Sequence, residues 1–182
     1  MDGVDARAEK TRAVAALLFP GEEWGQTEAR IWVAASRLSE RDKEPDKWEK
    51  EMAQVRILTS RGSVAYFLPE REMGENERRC ADIVLNGVVT EMKTTAGTRT
   101  TVGGEFRLAF KQGADLLRDQ PDRREHSVFI RLLSDLSVGS IKAKIAGELK
   151  ERHDDGIFFC FFEKIGVLYS WTYEELRALI GR

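Results

Sequence analysis

Asp82, Glu91 and Lys93 lie in the segment Asp82-Ile-Val-Leu-Asn-Gly-Val-Val-Thr-Glu91-Met-Lys93, where two apolar runs flank Asn86-Gly87. Two carboxylates that converge offer the hard oxygen ligands that Mg²⁺, Mn²⁺ or Ca²⁺ takes, and a bound cation removes the repulsion that would otherwise raise one pKa. A lysine beside them can orient a nucleophilic water or stabilise charge developing on a phosphoryl group. The chemistry these residue types suit is metal-assisted attack of water with charge developing on a phosphoryl group.

Such chemistry requires the two acids to meet, and the local sequence supplies a reason. Asn-Gly between β-branched runs predicts a two-residue type I′ hairpin, because both turn positions need φ > 0. Leu85 then pairs with Val88, Val84 with Val89, Ile83 with Thr90 and Asp82 with Glu91. Directly opposed residues share a face with Cβ atoms roughly 5 Å apart, and like charges there are destabilising. Strand alternation puts Lys93 on the face of Glu91, while Ile83, Leu85, Val88 and Met92 point to the other. One face reads as core and the other as a site. The same alternation is compatible with a charged solvent face on which Lys93 merely neutralises its neighbours.

The spacing Asp82-x8-Glu91-x-Lys93 on consecutive strands resembles the PD-(D/E)xK nuclease superfamily. Upstream, Trp48 to Gly62 predicts an amphipathic helix with a glycine stop, followed by a strand from Ser63 to Glu70. Its pattern Glu51-x3-Val55-x2-Leu58-x3-Gly62-x-Val64, ending in Leu68-Pro69-Glu70, looks like the nuclease toxins of bacterial contact-dependent growth inhibition systems. The resemblance implies that Glu51 joins Asp82 and Glu91 at the metal, with Glu49 a weaker candidate because it lies off the Glu51, Val55, Leu58 face. It also implies an α/β fold with a mixed sheet and a restriction-endonuclease-like αβββαβ core. Family members usually carry Pro before the first aspartate, where this chain has Cys80-Ala81.

Beyond Lys93, Thr95 returns to the site face and matches the hydroxyl-bearing positions that often follow the lysine in the family; a plain β-former is the other reading. The Thr-rich and Gly-rich stretch from Thr94 to Gly104 predicts a loop over the site. A helix is expected from Glu105 to Arg118, with Phe106, Ala109, Phe110, Gly113, Leu116 and Leu117 recurring at helical period. Gln112 lies beside that stripe, and the resemblance implies that it reaches toward the active site; a surface amide is the alternative. The strand Ser127–Leu133 completes the αβββαβ order. A helix over Val138–Arg152, strands Ile157–Phe162 and Val167–Trp171, and a final helix capped by Thr172 ahead of Glu175 extend the sheet. Lys142, Lys144, Lys150 and Arg152 form a basic flank suited to phosphates or simply to solvent.

The resemblance runs from Trp48 to Trp171. Residues 1–44 read instead as an N-terminal helical extension, with helices over Ala8–Phe19 and Thr27–Leu38 split by Pro20-Gly21, ahead of a nuclease-like domain over 45–182. At 182 residues and 42% hydrophobic content the chain has the material for one sizeable core. Lys plus Arg at 29 against Asp plus Glu at 31 gives a formal charge of −2, which does not mark a protein that coats DNA. Only two cysteines are present, Cys80 and Cys160, so neither a zinc finger nor a disulfide scaffold is indicated, and action in a reducing cytoplasm fits. The hairpin register sets Cys80 opposite Lys93. No P-loop and no nucleophile elbow occur, and His126 and His153 are the only imidazoles. The chain has no apolar run of membrane-spanning length and no signal-peptide core, so a soluble protein is expected, carried by a larger parent if it is a delivered toxin.

These residues lead to a metal-dependent endonuclease using Mg²⁺, with Mn²⁺ or Zn²⁺ as alternatives. The resemblance implies tRNA as substrate and an immunity protein as partner. A DNA endonuclease and a degenerate nuclease fold used only for binding are the competing readings.

Overall fold

Asn86 and Gly87 both take the left-handed backbone, at φ 49° and 85°, and close the predicted hairpin. Its pairs are Leu85 with Val88, Val84 with Val89 and Ile83 with Thr90, which is the register expected from a two-residue turn. The turn is also tied down from outside: Asn86 Oδ1 accepts the Val64 N–H at 2.9 Å and Nδ2 donates to Ser63 Oγ at 3.1 Å. The computed structural model describes residues 3–70, 81–117, 125–150 and 158–180, and its contacts divide into two units, Met1–Thr90 and Glu91–Arg182.

The first unit contains α1 (Gly3–Leu18), β1 (Trp24–Glu28), β2 (Ile31–Ala34), α2 (Ala35–Arg41), α3 (Pro45–Thr59), β3 (Ala65–Phe67), β4 (Ile83–Leu85) and the start of β5 (Val88–Thr95). Strand order is β1-β2-β3-β4-β5. The β2–β3 pair is parallel and its neighbours are antiparallel. Register aligns Ile31, Ala65 and Leu85 in one row and Val33, Phe67 and Ile83 in the next, all of them buried. Burying each large apolar side chain stabilises the fold by about 1.5–3 kcal/mol. Against this layer α3 sets Trp48, Met52, Val55 and Leu58, spaced to share one helical face, with the Trp48 and Phe67 rings 5.6 Å apart.

Residues 1–44 are therefore not helical throughout. The segment Thr27–Leu38, expected as a helix, forms most of the β1–β2 hairpin and the start of the short α2. Ile31 and Val33 are buried on either side of the half-buried Trp32, and this two-residue alternation outweighs the helix-forming alanines once β3 is available to pair.

The second unit holds the rest of β5, α4 (Arg99–Leu117), β6 (His126–Leu132), α5 (Val138–Leu149), β7 (Phe158–Lys164), β8 (Val167–Thr172) and α6 (Tyr173–Arg177). Its strand order is β5-β6-β7-β8, with β6 and β7 parallel and β7 and β8 antiparallel. Phe106 and Phe110 of α4, Val128 and Ile130 of β6, Ile141 and Ile145 of α5, and Leu176 form its core. Chain order α3-β3-β4-β5-α4-β6 is the expected αβββαβ order, and the fold is a mixed α/β one.

The predicted loop from Thr94 to Gly104 is largely absent, because α4 begins at Arg99 rather than Glu105. Thr98 Oγ1 accepts the Thr101 N–H at 3.4 Å, and Val102 is fully buried. Gly103 lies inside the helix, where an added Cβ would meet only the movable ends of Lys144 and Glu148 of α5. Thr172 and Glu175 form the predicted capping box. Of the basic flank on α5, Lys144 pairs with Glu148 at 2.5 Å and Lys142 lies 5.5 Å from the Trp171 ring centre, which leaves Lys150 exposed. Arg152, His153 and Cys80 lie outside the described residues.

Candidate active site

Glu51 projects from α3 into a group of charges that the sequence pattern only half reveals. Arg37 of α2 is buried and donates from Nη2 to Glu51 Oε2 at 2.6 Å and to Glu70 Oε1 at 3.3 Å. Its Nη1 donates to the Leu68 carbonyl at 2.9 Å and to the Asp82 carbonyl at 3.4 Å. The guanidinium plane also lies over the Phe67 ring, 5.1 Å from its centre. Four oxygen acceptors and an aromatic face fix this side chain in one orientation.

Electrostatics explain why so many acids tolerate one another here. Burial disfavours the Arg37 charge, yet the carboxylates of Glu51, Asp82 and Glu70 outweigh it and raise the arginine pKa. Burial likewise raises the Glu51 pKa; the nearby Asp82 charge adds to this, and Arg37 only partly offsets the two. Lys47 donates to Glu70 Oε1 at 2.6 Å and pairs with Glu44 at 3.3 Å, and these partners raise its pKa against the opposing cost of burial. Arg37, Glu44, Lys47, Trp48, Glu51 and Glu70 together line a cleft. Glu49 points elsewhere: it is exposed and pairs with Arg56 at 3.3 Å.

On the other side of the unit boundary, Lys93 Nζ donates to Glu91 Oε1 at 2.6 Å, and the Glu91 side chain is only 2% exposed. Alternation along β5 thus sets the two on one face, as expected. Thr95 is buried; its hydroxyl accepts the Gly97 N–H at 3.2 Å and its carbonyl accepts the Leu133 N–H at 2.8 Å, which fixes the end of β5. Gln112 is not a surface amide. It is buried on α4, and its Oε1 has no hydrogen-bond partner among the described residues.

The structure therefore gathers Glu51 and Asp82 in the first unit, and Glu91 and Lys93 in the second, with Ile83 paired to Thr90 where Asp82 precedes and Glu91 follows in the chain. Sequence reasoning missed Arg37, Lys47 and Glu70. Glu70 had a signal, as the last residue of the Leu-Pro-Glu segment; Arg37 had none, because its position depends on how α2 meets α3 and β3. The carboxylate oxygens of Glu51 and Asp82 are of the type that suits a hard cation, and burial is the main reason the Glu51 pKa is raised. Among the described residues no three His, Cys, Asp or Glu side chains close into a ready ligand set, and Arg37 and Lys47 are the cations paired with these acids.

No family model and no curated protein matches the chain. A solved CdiA-CT/CdiI toxin and immunity complex from Burkholderia pseudomallei is similar to it. The identity is 15% and the TM-score 0.36, over 64% of this chain and 76% of that chain. No described helix is long and apolar enough to cross a membrane.

Proposed function

We propose that this chain is a metal-dependent endonuclease that hydrolyses phosphodiester bonds. The observation that carries the reading is the hairpin register, which pairs Ile83 with Thr90 and so orders Asp82 and the Glu91–Lys93 pair along adjacent strands. Asp82, Glu91 and Glu51 would hold a divalent cation, Mg²⁺ in the first instance. Such an ion, when bound, supplies Lewis acidity and lowers the pKa of a water.

The remaining work falls to the chain's own groups. Lys93, held at 2.6 Å by Glu91, presents an ammonium that orients the attacking water or neutralises charge growing on the phosphoryl oxygens. Burial of Glu91 keeps that pair in one geometry and raises the strength of its field. The Gln112 amide is buried, and its carbonyl oxygen, which has no hydrogen-bond partner among the described residues, is an acceptor that a ligand could use. We assign tRNA as the substrate and the chain as the toxin domain of a delivered protein, with an immunity protein as partner; the toxin-like pattern from Glu51 to Glu70 supports this choice.

Purified protein incubated with total tRNA and, separately, with plasmid and single-stranded DNA in Mg²⁺ or Mn²⁺ tests the proposal. Discrete tRNA fragments that disappear with Glu91→Ala and with a chelator are the expected result. Cleavage of DNA alone would replace tRNA by DNA as substrate. No cleavage of any of the three would sink the enzyme reading in favour of a nuclease fold used for binding.

A further inference from the structure

The sheet face of the first unit turned away from α3 carries an aromatic row that the core only partly absorbs. Phe67 meets Trp48 of α3, so alternation sends its neighbour Tyr66 to the other face. There Tyr66 and its register partner Trp32 stack, with ring centres 5.0 Å apart and planes 7° from parallel, and Trp24 of β1 meets Tyr66 edge-on at 5.4 Å. Tyr66 is buried, whereas Trp24 and Trp32 are only half-buried. On the edge strand, Gln26 pairs with Trp32, is exposed, and donates its amide to the Glu28 and Ala29 carbonyls. Among the described residues Tyr66 is the only ring stacked on Trp32. An indole covered on one side near the edge of a sheet is a platform for another flat ring.

Cations without counter-charges stand beside this row. Arg7 of α1 donates from Nη1 to the Gly62 carbonyl at 3.2 Å, and Arg30, two residues before Trp32, donates from Nη1 to the Thr59 carbonyl at 3.2 Å. Both nitrogens lie 3.9 Å from where a Cβ on Gly62 would stand, so the two guanidiniums are neighbours. The stem of Lys10 passes beside Gly87, and Arg12 acts on Tyr66, opposing the burial that raises the phenol pKa. Among the described residues none of Arg7, Lys10, Arg12 and Arg30 has a carboxylate within ion-pair reach, whereas Arg37, Lys47 and Arg56 of the same unit each pair with two. Most N–H groups of Arg7 and Arg30 remain available, and like charges gathered in this way favour a polyanion. We propose that this rim and row bind an unpaired nucleic-acid segment, with phosphates on Arg7 and Arg30 and a base on the side of Trp32 that Tyr66 leaves uncovered. The inference deepens the nuclease reading and rests on its nucleic-acid substrate, not on its metal. Stacking on an indole accepts any base and either sugar but needs a base whose face is free, so the site takes loops and strand ends and not paired stems.

Fluorescence anisotropy of the whole chain with labelled oligo-U RNA, oligo-T DNA and a duplex, each of about ten nucleotides, tests this in chelator, where cleavage does not intervene. The single strands are expected to bind, and the duplex to bind roughly tenfold more weakly. Trp32→Leu should weaken single-strand binding by roughly tenfold with its salt dependence intact. The double variant Arg7→Gln, Arg30→Gln should weaken it too, and should lower the slope of log affinity against log salt by about 1.4, two phosphates at roughly 0.7 each. Arg56→Gln removes the same kind of charge where Glu28 and Glu49 already balance it, and should change affinity by less than about twofold. Either strand bound and weakened in this pattern supports the platform, and the tighter of the two names its source. A duplex bound as tightly as the single strands, variants that bind like wild type, or a wild type that binds neither strand would overturn the proposal and leave cleavage in Mg²⁺ to decide the nuclease reading. Variant-sensitive binding with no cleavage in Mg²⁺ would instead keep the platform and remove the enzyme. Should Trp32→Leu not fold, crosslinking of the wild type to a 4-thiouridine oligomer decides: adducts on Trp24, Trp32 or Tyr66 are expected, and adducts on none of the three would refute the site.

Discussion

Arg37 and Glu51 form a 2.6 Å ion pair in which the arginine side chain is 2% exposed and the glutamate 17%. Pairs this deeply placed contribute little compared with an apolar alternative, but removing one partner leaves a buried charge and costs about 3–5 kcal/mol. The pair is better understood as a constraint on Glu51 than as a source of stability.

The constraint has a pH signature. Burial, followed by the Asp82 charge, raises the Glu51 pKa above its ordinary 4.5 in spite of Arg37. A carboxyl raised in this way keeps its proton after the unfolded chain has lost it. Its contribution is complete below the unfolded value and disappears as pH rises through the folded one. In chelator, wild type should therefore lose stability relative to Glu51→Gln as pH climbs above 4.5, and the difference should level off once Glu51 is ionised. Urea unfolding of both chains from about pH 4 to pH 8 measures this. A wild type that gains on the variant over that range would mean that Arg37 outweighs burial.

Lys93 and Glu91 make the corresponding pair on β5, with the glutamate almost fully enclosed. Replacing Lys93 by Met should cost about 3 kcal/mol, since it takes the ammonium away from a buried carboxylate. Adding Glu91→Gln should recover part of that loss, and both variants should be inactive on nucleic acid. A double-mutant cycle by denaturant unfolding reports the coupling directly. Strict additivity would show that the 2.6 Å contact does not hold the pair together.

The parts of the fold written in local sequence were readable in advance, and those set by distant packing were not. Asn86-Gly87 fixes its own register because a two-residue turn with both residues at positive φ admits only one pairing. Thr172 and Glu175 announce their helix for a similar reason, each bonding the other's backbone. Thr27–Leu38 misleads because its alanines favour helix, while Ile31 and Val33 find β3 from more than thirty residues away by the register Ile31 to Ala65. Gly103 misleads in the opposite sense, since it lies within α4 between the buried Val102 and Phe106 and does not break the helix. Within the candidate site, Asp82, Glu91 and Lys93 follow from the hairpin register and strand alternation, and Glu51 from the resemblance to the toxin pattern. Arg37 follows from none, for its four acceptors come from α3, from Leu68 and Glu70 beyond β3, and from Asp82.

Gly87 tests the hairpin independently of the chemistry. At φ 85° any side chain is strained, and an added Cβ would lie 2.7 Å from Lys10 Cε, the flexible part of a long side chain. Lys10 can move, so the cost of Gly87→Ala should come from the backbone and amount to about 1–2 kcal/mol. The pairing beyond the turn keeps its register, so cleavage per folded molecule should be unchanged while the thermal midpoint falls. A loss of activity without a loss of stability would point to a slipped register instead.

Gln112 separates stability from function most sharply. Its amide is buried, and Oε1 finds no hydrogen-bond partner among the described residues, so the folded chain bears the cost of stripping water from that oxygen, about 1–3 kcal/mol for such a group. A residue kept only for packing would be better as leucine, which has similar bulk and no orphaned acceptor. Gln112→Leu should therefore stabilise the chain by about 1 kcal/mol in thermal or urea unfolding, and should reduce nucleic-acid cleavage by tenfold or more, the usual order for a lost site hydrogen bond. Stabilisation with undiminished cleavage would remove Gln112 from the site. Destabilisation would show that the amide has a partner in solution, and the buried oxygen would then be a structural acceptor.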